Sequence, residues 1–154
     1  MVTVYRQTAQ GLTRSQNQGG ATSDTYFSGG GGLMSTAADY VQFGQMLLNG
    51  GELNGNRLLS PKTVELMSST FVEEFGFGRV SRGLGFGLSV QVVNDPVAAG
   101  QRVGTGSFGW DGAYGTHFWV DPTEDIVGVM MIQTPNFQVS RDVENALMQA
   151  SSPW

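Results

Sequence analysis

The strongest periodic pattern lies in TAADYVQFGQMLLNG at 36–50. Tyr40, Phe43, Gly44, Leu47 and Leu48 recur at i, i+3, i+4, i+7 and i+8, the spacing of one helical face. Thr36 and Asp39 make a capping pattern in front of it, and Gly50-Gly51 supplies a left-handed stop behind it. The pattern predicts a helix over 37–49. GELNGNRLL then reads as a turn with a short extended piece. Ser60-Pro61 gives a second helix its cap and first-turn proline, with Val64 and Met67 as apolar positions and Lys62 set against the helix dipole. From about residue 84 the period changes to two. Leu88, Val90 and Val92 alternate with Ser89 and Gln91, which predicts a half-buried strand ended by Asn94-Asp95-Pro96. Two more strands are expected at 105–110 and 115–120, around a turn at 111–114, with Asp121-Pro122 as the stop. IVGVMMIQ at 126–133 is almost continuously apolar, so both of its faces should be covered. Ser140 is the expected cap of a last helix that buries Val143, Ala146, Leu147 and Ala150. A short strand at 2–6 opens the chain, and SGGGGL at 28–33 reads as a flexible lead-in to the first helix.

Helices, then antiparallel strands, then a helix to cover a sheet face: this order is α+β. A length of 154 residues fits one domain over 1–154. Apolar residues at 40% allow an ordinary core, and the 23 glycines fall in short clusters that read as loops. The net charge of −5 argues against a nucleic-acid or anionic-membrane partner. No apolar run approaches the roughly 18 residues of a membrane span, and MVTVYRQTAQG lacks the apolar stretch of a signal peptide. Without cysteine there is no disulfide, thiolate ligand or cysteine nucleophile. A single histidine outside any HExxH pattern points to no metal and no cofactor.

Candidate chemistry concentrates in GSFGWDGAYGTHFWVDP at 106–122. GTGSFG at 104–109 fits GxGxxG, but the aromatic, strand-like residues after it leave no helix to bind a dinucleotide. Ser107 sits in TGSFG, one residue short of the GxSxG elbow and without its strand-to-helix context. Ser107, Asp111 and His117 are the residue types of a triad, yet a triad is a geometry, and His117 falls in an alternating strand where a lone histidine reads first as structural. S-x-x-K is absent: the one lysine, Lys62, follows Ser60 by two positions. Trp110 and Tyr114 beside glycines suit a binding wall, with ring area for contact and open backbone for approach. Phe118 and Trp119 read as core and cover of the sheet.

GGGGLMSTAADYVQFGQMLLNGGELNGNRLLSPKTVELM, followed in order by GLGFGLSV and GSFGWDGAYGTHFWVDPTEDIVGVMMIQ, resembles the class C β-lactamase-related serine hydrolases. These include penicillin-binding proteins, D-aminopeptidases and family VIII carboxylesterases. The resemblance implies an antiparallel sheet covered by helices, and chemistry carried by three motifs. S-x-x-K holds nucleophile and base, a Tyr-x-Asn-like motif assists proton transfer, and K-T-G or a variant such as H-x-G or W-G-G lines the cleft. Only the third is present, as Trp110-Asp111-Gly112, and Ala113 is then the residue whose N–H serves the oxyanion hole. Trp110 in place of lysine resembles the esterase-like branch and lacks the cation that would hold a β-lactam carboxylate. The first two motifs would lie upstream, so the chain is expected to match the C-terminal part of a family enzyme. The implied activity is hydrolysis of small-molecule esters or related acyl compounds, with this chain supplying one cleft wall. Two other readings stay open: a small autonomous esterase using Ser107 or Tyr114 with His117 as base, and a non-catalytic assembly module. In the family, strands from the N-terminal segment pair beside the strand matching 126–133. Unless 2–6 substitutes, that apolar edge is expected to recruit another chain, as a homo-oligomer or by edge pairing.

Overall fold

A computed structural model describes residues 3–16, 25, 28–31, 33–73 and 82–151. The hairpin β1 (Tyr5–Thr8) and β2 (Gly11–Arg14) leads to helix α1 (Ala37–Leu48). A small hairpin, β3 (Glu52–Leu53) and β4 (Asn56–Arg57), connects to α2 (Pro61–Met67). Strands β5 (Val72–Glu73), β6 (Leu84–Phe86) and β7 (Gln91–Val93) follow, then the single turn α3 (Pro96–Ala99). The chain ends in β8 (Phe108–Asp111), β9 (His117–Asp121), β10 (Ile126–Met130) and α4 (Phe137–Ser151). Strands β5 to β10 form one antiparallel sheet in the order β10-β9-β8-β7-β6-β5, a meander in which each strand pairs with its neighbour in sequence. The fold is α+β, as the pattern predicts.

Local signals set both early helices. Thr36 Oγ1 accepts from the Asp39 N–H at 3.2 Å and donates to Asp39 Oδ2 at 2.8 Å. The stop comes one residue early, with Asn49 as C-cap and Gly50 and Gly51 at φ +66° and +95°. Ser60 Oγ accepts from the Thr63 N–H at 3.1 Å, with Pro61 in the first turn. Lys62 is paired with Glu65 at 2.7 Å on the open surface, where such a pair contributes little.

Strand alternation sorts the core into two layers. Val92, Phe108, Val120 and Val127 stand in register across four strands and face α1 and α2, where Met46, Leu47 and Val64 are buried with them. Leu47, 2% exposed, gains about 2 kcal/mol from that transfer. On the other face Gly109, Trp119 and Gly128 stand in register beneath α4. The indole of Trp119 fills the space that Gly128 leaves, where a Cβ would overlap the ring.

Four expectations change. Leu88 is not a strand residue: Leu88 and Ser89 are the loop of the β6–β7 hairpin, closed by Gly87 N–H to Val90 O at 2.8 Å, with Ser89 at φ +68° and Leu88 45% exposed. Asp95 does more than break a strand, because its Oδ1 accepts from the Ala98 N–H at 3.0 Å and starts α3. Ser140 does not cap α4. Asn136 Oδ1 takes the Gln138 N–H at 3.2 Å, and Ser140 lies inside the helix on its buried stripe with Glu144 and Met148, while Leu147 is 52% exposed. The last strand ends at Met130 and lies at the sheet edge. Of the opening strand, Val2 lies outside the described residues; β1 begins at Tyr5, pairs with β2 and sends one bond, Tyr5 N–H to Gln133 O at 3.0 Å, toward the chain beyond β10. Residue 32 of the glycine-rich lead-in also lies outside the described residues.

Candidate active site

The β8–β9 hairpin gathers Trp110, Asp111, Gly112, Ala113, Tyr114 and His117 at one end of the sheet. Its turn is closed by Gly112 N–H to Thr116 O at 2.7 Å and Gly115 N–H to Gly112 O at 2.9 Å. Gly115 takes φ +94°, which a side chain would oppose. Ala113 at the tip is exposed, and its N–H has no hydrogen-bond acceptor among the described residues. Tyr114 beside it is half-buried. Strand alternation then sends neighbours to opposite faces. Trp110 turns to the α1 layer and meets Phe86 edge-on at 4.9 Å, while Asp111 turns to the α4 side, directly across from His117.

His117 is held at both nitrogens. Nδ1 lies 2.8 Å from Asp111 Oδ1, and Nε2 lies 2.8 Å from Glu144 Oε2. Its ring stacks on Trp119 at 5.3 Å and 22°. The side chains differ in exposure: 12% for His117, 40% for Asp111 and 4% for Glu144. Two carboxylate acceptors call for two N–H donors, which only the imidazolium has. Burial by itself would lower the His117 pKa, but hydrogen bonds to Asp111 and Glu144, reinforced by both charges, raise it to about 9. Sequence reasoning missed Glu144 altogether. Its only signal was a place at i, i+4 between Ser140 and Met148, where a glutamate reads as solvent-facing.

The raised pKa fixes the sign of a stability change. The folded chain keeps this proton where a histidine of ordinary pKa 6.5 has lost it. The stabilisation is therefore complete below pH 6.5 and disappears as pH rises through about 9. Urea unfolding is expected to show a loss of about 3 kcal/mol between about pH 6 and pH 10. A flat profile over that window contradicts the ion-paired histidine.

Ser107 stands apart from this network. It precedes β8, is 1% exposed, and its Oγ makes no hydrogen bond among the described residues. With Gln101, Trp119 and Glu144 it lines a small cavity of about 30 Å³ on the α4 side, while both His117 nitrogens are turned to carboxylates. A second cleft, of about 120 Å³, opens beside the turn between Tyr40, Trp110, Gly112, Thr116, Phe118 and Met131. Burial raises the Tyr40 pKa, so its phenol stays neutral there, edge-on to Phe118 at 5.1 Å. The cleft is smaller than the roughly 300–1,000 Å³ of a complete ligand pocket. Among the described residues no group of three or more metal-ligating side chains could hold an ion, and no helix is long and apolar enough to cross a membrane.

Comparison with known proteins matches residues 2–151 to the Beta-lactamase family. Protein Rv1367c of Mycobacterium tuberculosis (strain ATCC 25618 / H37Rv) is 37% identical over 142 residues, covering 85% of this chain and 35% of that protein. The chain thus spans about a third of this relative's length. Among solved structures, EstCE1, a hydrolase with promiscuous acyltransferase activity, is similar with TM-score 0.74 and 24% identity over 97% of this chain and 42% of its own. Simvastatin Synthase (LovD) from Aspergillus terreus is similar with TM-score 0.72 and 19% identity over 96% of this chain and 41% of its own.

Proposed function

This chain belongs to the Beta-lactamase family, and on that premise we propose that it forms one wall of the acyl site of an esterase-like serine hydrolase or acyltransferase. The observation that carries the reading is the β8–β9 turn. It carries Trp110-Asp111-Gly112, which resembles the third family motif, and leaves the Ala113 N–H with no acceptor among the described residues. Attack of a serine on an acyl carbonyl puts negative charge on the carbonyl oxygen, and a fixed backbone N–H stabilises that charge. Trp110 stands where a lysine would hold an anionic substrate group, which favours uncharged acyl groups packed on an indole face. The nucleophile and its base belong to the S-x-x-K segment of the family, which this sequence does not contain. The small cleft accords with half of a site. The edge of β10 fits the same reading: a strand from the rest of the family fold, or from a second copy of this chain, pairs there.

One sample tests both parts. The pure chain is treated with a serine-directed fluorophosphonate in an ester-hydrolysis assay, and its mass in solution is measured by light scattering. Self-associated chain with no covalent adduct and no turnover is expected. Turnover with an adduct mapped to Ser107 or Tyr114 overturns the wall reading in favour of an autonomous esterase, and a clean monomer overturns the edge pairing with a second copy.

A further inference from the structure

We propose that His117 is a positioning residue of this acyl site, tying the β8–β9 turn to α4 by bridging the Asp111 and Glu144 carboxylates. The inference rests on the acyl-wall reading and adds to it a side chain that touches no substrate. Asp111 is the middle residue of Trp110-Asp111-Gly112, so whatever fixes its carboxylate fixes the strand end from which Trp110 and Ala113 project. Two backbone bonds close the turn, and Ala113 at its tip is exposed. A carboxylate as open as that of Asp111 would ordinarily move freely in water. Here it lies 2.8 Å from His117 Nδ1.

The far end of the bridge is rigid. Glu144 is buried on the sheet-facing stripe of α4 between Ser140 and Met148, so its carboxylate cannot swing out to solvent. The imidazole lies flat on Trp119, which is itself packed into the space left by Gly128. Packed contacts therefore run without a gap from α4 through Glu144 and His117 to the turn. Asp111 from β8 and Glu144 from α4 are the charged groups that act on the ring; the other polar walls of that cavity, Gln91, Gln101 and Ser107, are neutral, and Tyr40 of α1 shares only the cleft on the other side. A neutral imidazole has one N–H to give. Losing a proton breaks one of the two bonds, and Asp111, which has water as an alternative partner, releases before buried Glu144. The turn is freed while α4 stays docked.

His117 is the only histidine in the chain, so its ring signals in an NMR titration are unambiguous. In the unmodified chain the Ala113 methyl order parameter is expected to fall markedly as pH passes the His117 midpoint. At neutral pH, Asp111→Asn is expected to lower hydrogen-exchange protection of the Gly112 and Gly115 amides about tenfold, with Phe118 and Val120 unchanged. Asp111→Glu, which keeps a carboxylate, should recover part of that protection. If the Ala113 methyl ignores the His117 titration and Asp111→Asn leaves both glycine amides protected, His117 merely docks α4 and the proposal is wrong. Neither readout needs a turnover, so this result is independent of the fluorophosphonate test of the acyl wall.

Discussion

Replacing His117 with alanine is expected to destabilise the fold by about 3–5 kcal/mol, the usual consequence of removing one partner from a buried ion pair. The cost comes mainly from what stays behind. Glu144, with its side chain 4% exposed, keeps a carboxylate under α4 and loses its partner, and its Oε1 already makes no hydrogen bond among the described residues. Asp111 adds little to the penalty, because it is 40% exposed and can turn to water. Loss of the ring also removes the stacking partner of Trp119. Set against the 5–15 kcal/mol of an ordinary domain, such a loss moves the urea midpoint far without changing the slope. The mechanism has a second signature. Combining His117→Leu with Glu144→Leu takes away charge and partner together, and this pair is expected to recover most of the stability that His117→Ala loses. A loss under about 1 kcal/mol in His117→Ala would show that the two bonds add nothing beyond an ordinary surface contact.

The same network explains where the sequence was readable. α1 was legible because everything that defines it is local: the Thr36–Asp39 cap, the apolar period and the Gly50-Gly51 stop all lie within one short segment. α2 followed from Ser60-Pro61 for the same reason. α4 was legible as a helix but not in its facing. Binary pattern assigns Val143, Ala146, Leu147 and Ala150 to the core and Glu144 to solvent, whereas the sheet takes Ser140, Glu144 and Met148. What reverses the pattern is a partner 27 residues away, since Glu144 can be buried only because His117 meets it. Leu88 failed for a different reason. A two-residue hairpin loop normally carries glycine or asparagine, and Leu88-Ser89 accepts a positive φ without either. Family resemblance points to Trp110-Asp111-Gly112, which the structure sets at the end of β8 and the start of the turn after it. The residues that hold it in place could not be read that way, because a hydrogen bond across sheet and helix leaves no spacing in the chain.

A proline at position 113 separates the acyl-wall reading from a purely structural role for the turn. In the chain combined with a family segment that carries S-x-x-K, Ala113→Pro is expected to lower acyl-transfer turnover about 10²–10³-fold, the usual effect of losing one oxyanion donor. The fold should accept the change. Gly115 N–H to Gly112 O closes a four-residue turn in which Ala113 is the first central position, the place where proline's fixed φ fits best. Ala113 is not among the residues of positive φ, and its N–H serves no acceptor among the described residues, so proline removes no internal bond. Stability should hold or rise by about 0.4–1 kcal/mol through a less flexible unfolded chain. Rate and stability thus move in opposite directions, which no general damage to the hairpin would produce. Ala113→Gly retains the N–H and should keep turnover within about tenfold of the parent, the residual loss coming from a looser tip. Equal rates for the proline and glycine variants would remove Ala113 from the oxyanion site and leave Trp110 alone to define the wall.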